Sequence, residues 1–116
     1  MAAVSDDTHQ KLSGLSAGNL EVLEDAVGLR EVNREGSGLD ARTFALVKIA
    51  TLIALDAPPA SYAWQVANAL EEGATAEDFV GVLRAVAPQV GGPRVIAAAP
   101  EIMLAMGLAL DEEGQA

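Results

Sequence analysis

Apolar residues recur along this chain at three- and four-residue intervals, the spacing that lines them up on one face of an α-helix. Leu20, Leu23 and Val27 begin the pattern, and Val22, Leu29 and Val32 widen it. They predict a first helix over residues 19–35, stopped by Gly36-Ser37-Gly38. Asp40 then offers a carboxylate to the free amides of a second helix, Ala41–Leu55. That helix carries Phe44, Leu46, Val47, Ile49, Leu52, Ile53 and Leu55 and has almost no polar face. A helix of this kind is either central in its domain or buried between subunits. Asp56-Ala57-Pro58-Pro59 is the next break, and Pro59 suits the first turn of a third helix reaching Glu72, with Gly73 as its left-handed cap. Thr75 caps a fourth helix, with Glu77 and Asp78 at its positive end. Phe79, Val82, Leu83 and Val86 share its apolar face, and Pro88 is expected to end or kink it. A last helix is predicted over residues 95–110, kinked or split at Pro100.

No alternating strand pattern interrupts this series, so the fold class is all-α, with about five to six helices. Residues 1–17 are small and polar and read as a flexible lead-in; 18–111 form the helical domain and 112–116 a tail.

Composition narrows the picture. Apolar residues make up 51% of the 116 positions but aromatics only 3%, so the core must be built of Ala, Leu, Val and Ile on closely spaced helices. Seventeen acidic against seven basic residues give a formal charge of −10. Such a surface repels phosphate and argues against nucleic acid and anionic membranes as partners. The absence of cysteine suits a reducing cytoplasm, and neither a secretory leader nor a membrane span is legible, so a soluble cytoplasmic protein is expected.

The same inventory limits the chemistry. The one histidine, His9, lies in the polar lead-in, so no histidine acid–base or metal site is expected within the bundle. Phosphate-loop, dinucleotide-binding and zinc-protease signatures do not occur, and neither a metal nor a cofactor is expected. Candidate residues are polar groups on otherwise apolar helices. Lys48 is either a desolvated amine able to act as base or Schiff-base former, or a side chain that extends its charge to water or to a carboxylate. Arg84 and Arg94, either side of Gly91-Gly92-Pro93, suit a carboxylate clamp or structural ion pairs. Tyr62, Trp64 and Gln65 gather the only Tyr and Trp of the chain on one helix, as a pocket wall or an interface anchor.

Three segments together resemble the carboxymuconolactone decarboxylase family, which includes the alkylhydroperoxidase-D-like proteins. They are Gly38-Leu39-Asp40-Ala41-Arg42-Thr43 with the apolar helix behind it, the run from Ala69-Leu70-Glu71-Glu72-Gly73 to Val82-Leu83, and Gly91-Gly92-Pro93. The resemblance spans roughly residues 20–108. It implies homo-oligomers, trimers or hexamers, with a pocket near subunit contacts. It also implies a Cys-x-x-Cys-x-x-x-His helix in the peroxidase branch, whose cysteines fall here on Pro58 and Ser61 and whose histidine falls on Gln65. The family's upstream glutamate falls on Ala45, and the decarboxylase branch's further histidine and tyrosine fall on Ala85 and Gln89. A dithiol peroxidase reaction is therefore closed to this chain, and glutamine cannot shuttle a proton near neutral pH. Two functional readings follow. One is a divergent member, lyase- or decarboxylase-like if active, binding or transforming a small carboxylated or lactone-type molecule through Lys48, Tyr62 and Gln65, with Ser61, Trp64, Arg84 and Arg94 at the ligand. The other is a non-catalytic oligomeric helical module acting in assembly or partner binding.

Overall fold

The computed structural model describes residues 3–19, 21–22 and 30–108, the last span with backbone only at residues 30 and 31. Helices alone make up the regular structure among these residues. The chain divides after Gly38 into two units.

In the first unit, α1 spans Asp6–Ser16, where the apolar pattern assigns no helix. Its determinants are polar. The Ser5 hydroxyl accepts the Thr8 amide at 3.1 Å, Asp6 and Asp7 sit at the positive end of the dipole, and Lys11 pairs with Asp7 at 3.1 Å one turn away. None of its residues is buried. Asn19 then caps a new helical start, its Oδ1 accepting the Val22 amide at 3.0 Å, as expected for a helix beginning there. Much of the predicted stripe, Leu20, Leu23, Val27 and Leu29, lies outside the described residues. A helix, α2, spans Arg30–Ser37 and runs through Gly36, where the apolar pattern places a stop, and Val32 on it is exposed.

The second unit contains α3 (Ala41–Leu55), α4 (Pro59–Glu71), α5 (Ala76–Val90) and α6 (Gly92–Ala105). Helix α3 packs against all three others, so the first of its two expected roles, a central one, holds within this unit. Its starting cap is Asp40, which accepts the Thr43 amide at 2.8 Å and the Thr43 hydroxyl at 3.0 Å. At α5 the capping box closes with aspartate in the usual glutamate position. Asp78 is still long enough to accept the Thr75 amide at 2.8 Å while Thr75 Oγ1 accepts the Asp78 amide at 3.2 Å.

Pro88, expected to end or kink its helix, and Pro100, expected to kink or split its own, are both carried inside continuous helices. Beyond Pro88 the ladder resumes, with the Gly91 amide donating to Ala87 at 2.9 Å, and α6 runs unbroken across Pro100. The carbonyls deprived of a donor belong to Arg84 and Ile96, four residues back. Both residues are exposed, so water can satisfy what the proline ring cannot. The last helix also starts earlier than expected, at Gly92, and ends at Ala105 before the Gly107 turn.

Ala45, Ile49 and Ile53 form the buried stripe of α3, facing Tyr62, Val66 and Ala69 of α4, Phe79 of α5, and Ala98 and Ile102 of α6. Only two of these residues are aromatic, and small side chains let the helix axes approach closely. Truncating Ile49, fully buried, to alanine should cost about 2–5 kcal/mol of unfolding free energy in chemical denaturation. Thr75→Ala, which removes only a cap, should cost about 1 kcal/mol.

Candidate functional site

Helix α3 ends in a Schellman turn: the Asp56 amide donates to Ile53 at 3.3 Å and the Ala57 amide to Leu52 at 3.1 Å. The residue at the left-handed position is Asp56, with φ 53°. At the ends of α1, α4 and α6 the equivalent position is glycine, at Gly18, Gly73 and Gly107, which adopts such a φ without steric cost. Asp56 is the only non-glycine residue with positive φ among those described. Its carboxylate lies 3.6 Å from the guanidinium of Arg94, on the first turn of α6.

Tyr62, on the first turn of α4, is 2% exposed. Its hydroxyl has no protein hydrogen-bond partner among the described residues, yet no buried side-chain oxygen there lacks one. The phenol oxygen itself therefore reaches the surface while the ring is enclosed. Burial pushes the phenol above the ordinary 10.0 of tyrosine, and the negative charges of Asp56 and Glu101 push it further, against a smaller opposing pull from Arg94. Arg94 and Glu101 lie seven residues apart, two helical turns, on the flank of α6 next to buried Ala98 and Ile102. The result is a weakly donating, protonated hydroxyl framed by one cation and two carboxylates.

The other sequence candidates join this edge to different degrees. Gln65 is half-buried, one turn beyond Tyr62 and its neighbour on the helix surface. Ser61, also half-buried, lies four residues before Gln65, and the two begin a polar stripe continued by Asn68 and Glu72. Trp64 is half-buried too, but residues two apart on a helix do not face each other, so Tyr62, Trp64 and Gln65 do not form a single wall. The Lys48 ammonium lies 5.1 Å from the centre of the Phe44 ring one turn back on α3, a cation–π arrangement. Arg94 is engaged by Asp56, whereas Arg84 is exposed on α5 and forms no ion pair among the described residues. The positions where the family places its reactive groups are dispersed. Pro58 precedes α4, Ala45 is in the core, and Ala85 and Gln89 are exposed on α5.

Asp56, Glu101, Asn68 and Glu72 were not singled out from the sequence. The last two had a legible signal, the helical spacing Ser61, Gln65, Asn68, Glu72. Asp56 had only its place before a Pro-Pro break, which reads as ordinary helix punctuation.

A second charged contact spans two helix starts. Arg42 Nε donates to Asp78 Oδ2 at 3.2 Å and its Nη2 to Oδ1, a two-point grip on the residue that caps α5. The Thr75 amide and Arg42 hold the Asp78 carboxyl below the ordinary 3.8. The stability this contributes is complete above that pH and is lost as acid carries the solution through the lower, folded value. Among the described residues no group of three or more His, Cys, Asp or Glu side chains is arranged to hold a metal ion, and no helix is long and apolar enough to cross a membrane.

Comparison with known families agrees with this architecture. The sequence model of the carboxymuconolactone decarboxylase family matches residues 21–102, and the chain belongs to that family. Neither the curated proteins nor the solved structures gave a match.

As the only tyrosine, Tyr62 can be titrated without interference. Its phenolate absorbance in the folded protein should rise with a midpoint above 10.0. Asp56→Asn and Glu101→Gln should lower that midpoint and Arg94→Gln raise it. Because the folded value is the higher one, stability from this group is complete below 10.0 and declines as pH rises through the folded midpoint.

Proposed function

We propose that this member of the family binds a small lactone- or carboxylate-type molecule at the Tyr62 edge and polarises its carbonyl without thiol chemistry. The observation that carries the reading is the Tyr62 hydroxyl: an enclosed ring, an oxygen that reaches the surface, and no protein partner for it. A phenol that stays protonated at neutral pH is a hydrogen-bond donor to a carbonyl oxygen, not a general base. Gln65, one turn away, adds a donor and an acceptor in a half-buried position where an apolar side chain would be cheaper. With neither cysteine nor a bundle histidine to move electrons or protons, any turnover here depends on stabilising charge that develops on the substrate oxygen, as in lyase-type steps.

The same proposal includes a homo-oligomer, a trimer or hexamer. It is supported by the outward face of α3, where Val47 is 50% and Leu55 70% exposed. Thr51 between them donates its hydroxyl to the Val47 carbonyl at 3.0 Å, so this strip offers solvent no unsatisfied donor. Light scattering at micromolar concentration should give three or six times the 11.9 kDa chain mass, and Val47→Asp should reduce it. A monomeric wild-type chain would remove this part of the proposal.

For the binding site, a thermal-shift screen of small lactones and carboxylic acids should find at least one compound that raises Tm. That shift should shrink several-fold in both Tyr62→Phe and Gln65→Leu. If no compound shifts the transition, or the shift ignores both substitutions, the site is not at Tyr62.

A further inference from the structure

We infer that Asp56 is a specificity-determining residue: it occupies the Arg94 guanidinium from within the chain, so that the Tyr62 edge accepts an uncharged lactone or ester carbonyl and disfavours a free carboxylate. This rests on the reading of that edge as the binding site and narrows the ligand to one charge class.

An arginine beside a tyrosine hydroxyl is, taken alone, a carboxylate receptor: the guanidinium supplies a planar fork of donors and the phenol one more. Here the fork already faces an anion, the Asp56 carboxylate at 3.6 Å. Both partners are largely solvated, at 42% and 63% side-chain exposure, so the pair itself is weak and a ligand could displace Asp56 at little energetic cost. Displacement would not remove the carboxylate, however. Asp56 is fixed at the left-handed position of the turn that joins α3 to α4 and stays beside the site. A carboxylate ligand would then meet Asp56 and Glu101 against the single charge of Arg94, in a chain of formal charge −10. A neutral carbonyl takes the Tyr62 proton without joining that repulsion.

The backbone gives a separate reason to regard Asp56 as placed for its side chain. Three other helices end in the same hydrogen-bonded turn with glycine, and α3 alone uses a residue for which the conformation costs free energy. Aspartate is among the few side chains that tolerate it, and it is the one that brings a negative charge to Arg94.

A matched pair of probes isolates charge from shape. δ-Valerolactone and its ring-opened acid, δ-hydroxyvalerate, share a carbon skeleton and differ in charge at neutral pH. In calorimetric titrations at low salt, the wild-type protein should bind the lactone about five- to ten-fold more tightly than the acid, as expected for one or two uncompensated like charges several ångströms away in water. Added salt should compress the ratio as these charges are screened. In Asp56→Asn, which keeps a residue suited to the left-handed turn, the ratio should fall several-fold, and Glu101→Gln should lower it in the same direction. Equal affinities in the wild type, or a ratio unchanged in both variants, would overturn the role of Asp56 and leave the Tyr62 site standing. Failure of the wild type to bind either probe, or binding indifferent to Tyr62→Phe, would overturn the site reading and this inference with it.

Discussion

The second unit depends on the burial of one stripe, Ala45, Ile49 and Ile53, along a helix that touches all three of its companions. Each is 1% exposed or less, so any helix that shifts leaves an apolar surface wet or a gap unfilled. With so few aromatic residues available, close approach of backbones replaces bulky interlocking, and Ala69 and Ala98 stand at contacts where larger side chains would force the helices apart. Tyr62 is the exception. It is among the largest enclosed side chains, and its ring fills space between α4 and α6 that the aliphatic residues leave. Packing thus fixes the ring before any chemistry is asked of its hydroxyl.

Because α3 is apolar on its exposed face as well as on its buried one, charged residues stand mostly at the helix ends. Asp40, Arg42, Asp56, Asp78 and Arg94 all lie at or within one turn of a helix terminus. Because α3 is central, its two termini meet the ends of different neighbours. At its start, Arg42 reaches the cap of α5 and ties two helix beginnings together through Asp78. At its end, Asp56 reaches the beginning of α6 through Arg94. These contacts resemble each other but differ in strength. Asp78 is 19% exposed and held by Arg42 at two points and by the Thr75 amide, whereas the Asp56–Arg94 pair is longer and more open to solvent. The first is built to hold; the second leaves a guanidinium that a ligand can contest.

Which parts were legible follows from which forces are local. Helix α3 could be read with both its boundaries because its cap, its apolar run and the Pro-Pro break after it all lie within a few residues. Helix α5 could be read at its start for the same reason. Pro88 and Pro100 did not end their helices, because the penalty of an interior proline depends on whether water reaches the orphaned carbonyl four residues back, a property of the folded surface. Helix α1 was missed because its caps and ion pairs are polar and leave no apolar period. At the candidate site, Tyr62, Gln65 and Arg94 were legible as scarce side chains on apolar helices. Their arrangement was not, since Arg94 lies more than thirty residues beyond Asp56 and meets it only through packing. Arg94 stands beside Asp56 while Arg84 is exposed on α5, and nothing local in the sequence told which of the two would engage a carboxylate of the chain.

The family framework and the residues kept within it point to a change in the kind of work done. Thiol and imidazole sites act by moving electrons or protons, which requires groups that change state near neutral pH. The groups around Tyr62 do not: burial and nearby carboxylates hold its phenol above 10.0, and the Gln65 amide does not titrate. Such a set can orient a substrate and stabilise charge on an oxygen, but must leave proton transfer to water or to the substrate itself. The acidic frame of Asp56 and Glu101 has a further consequence. It opposes formation of phenolate at Tyr62, so that in the proposed role the hydroxyl would remain a donor to a bound carbonyl. A cationic frame would strengthen that donor but also draw in free carboxylates, the end products of lactone opening. In the proposed role, the acidic frame would give up some donor strength and, in return, oppose retention of a charged product.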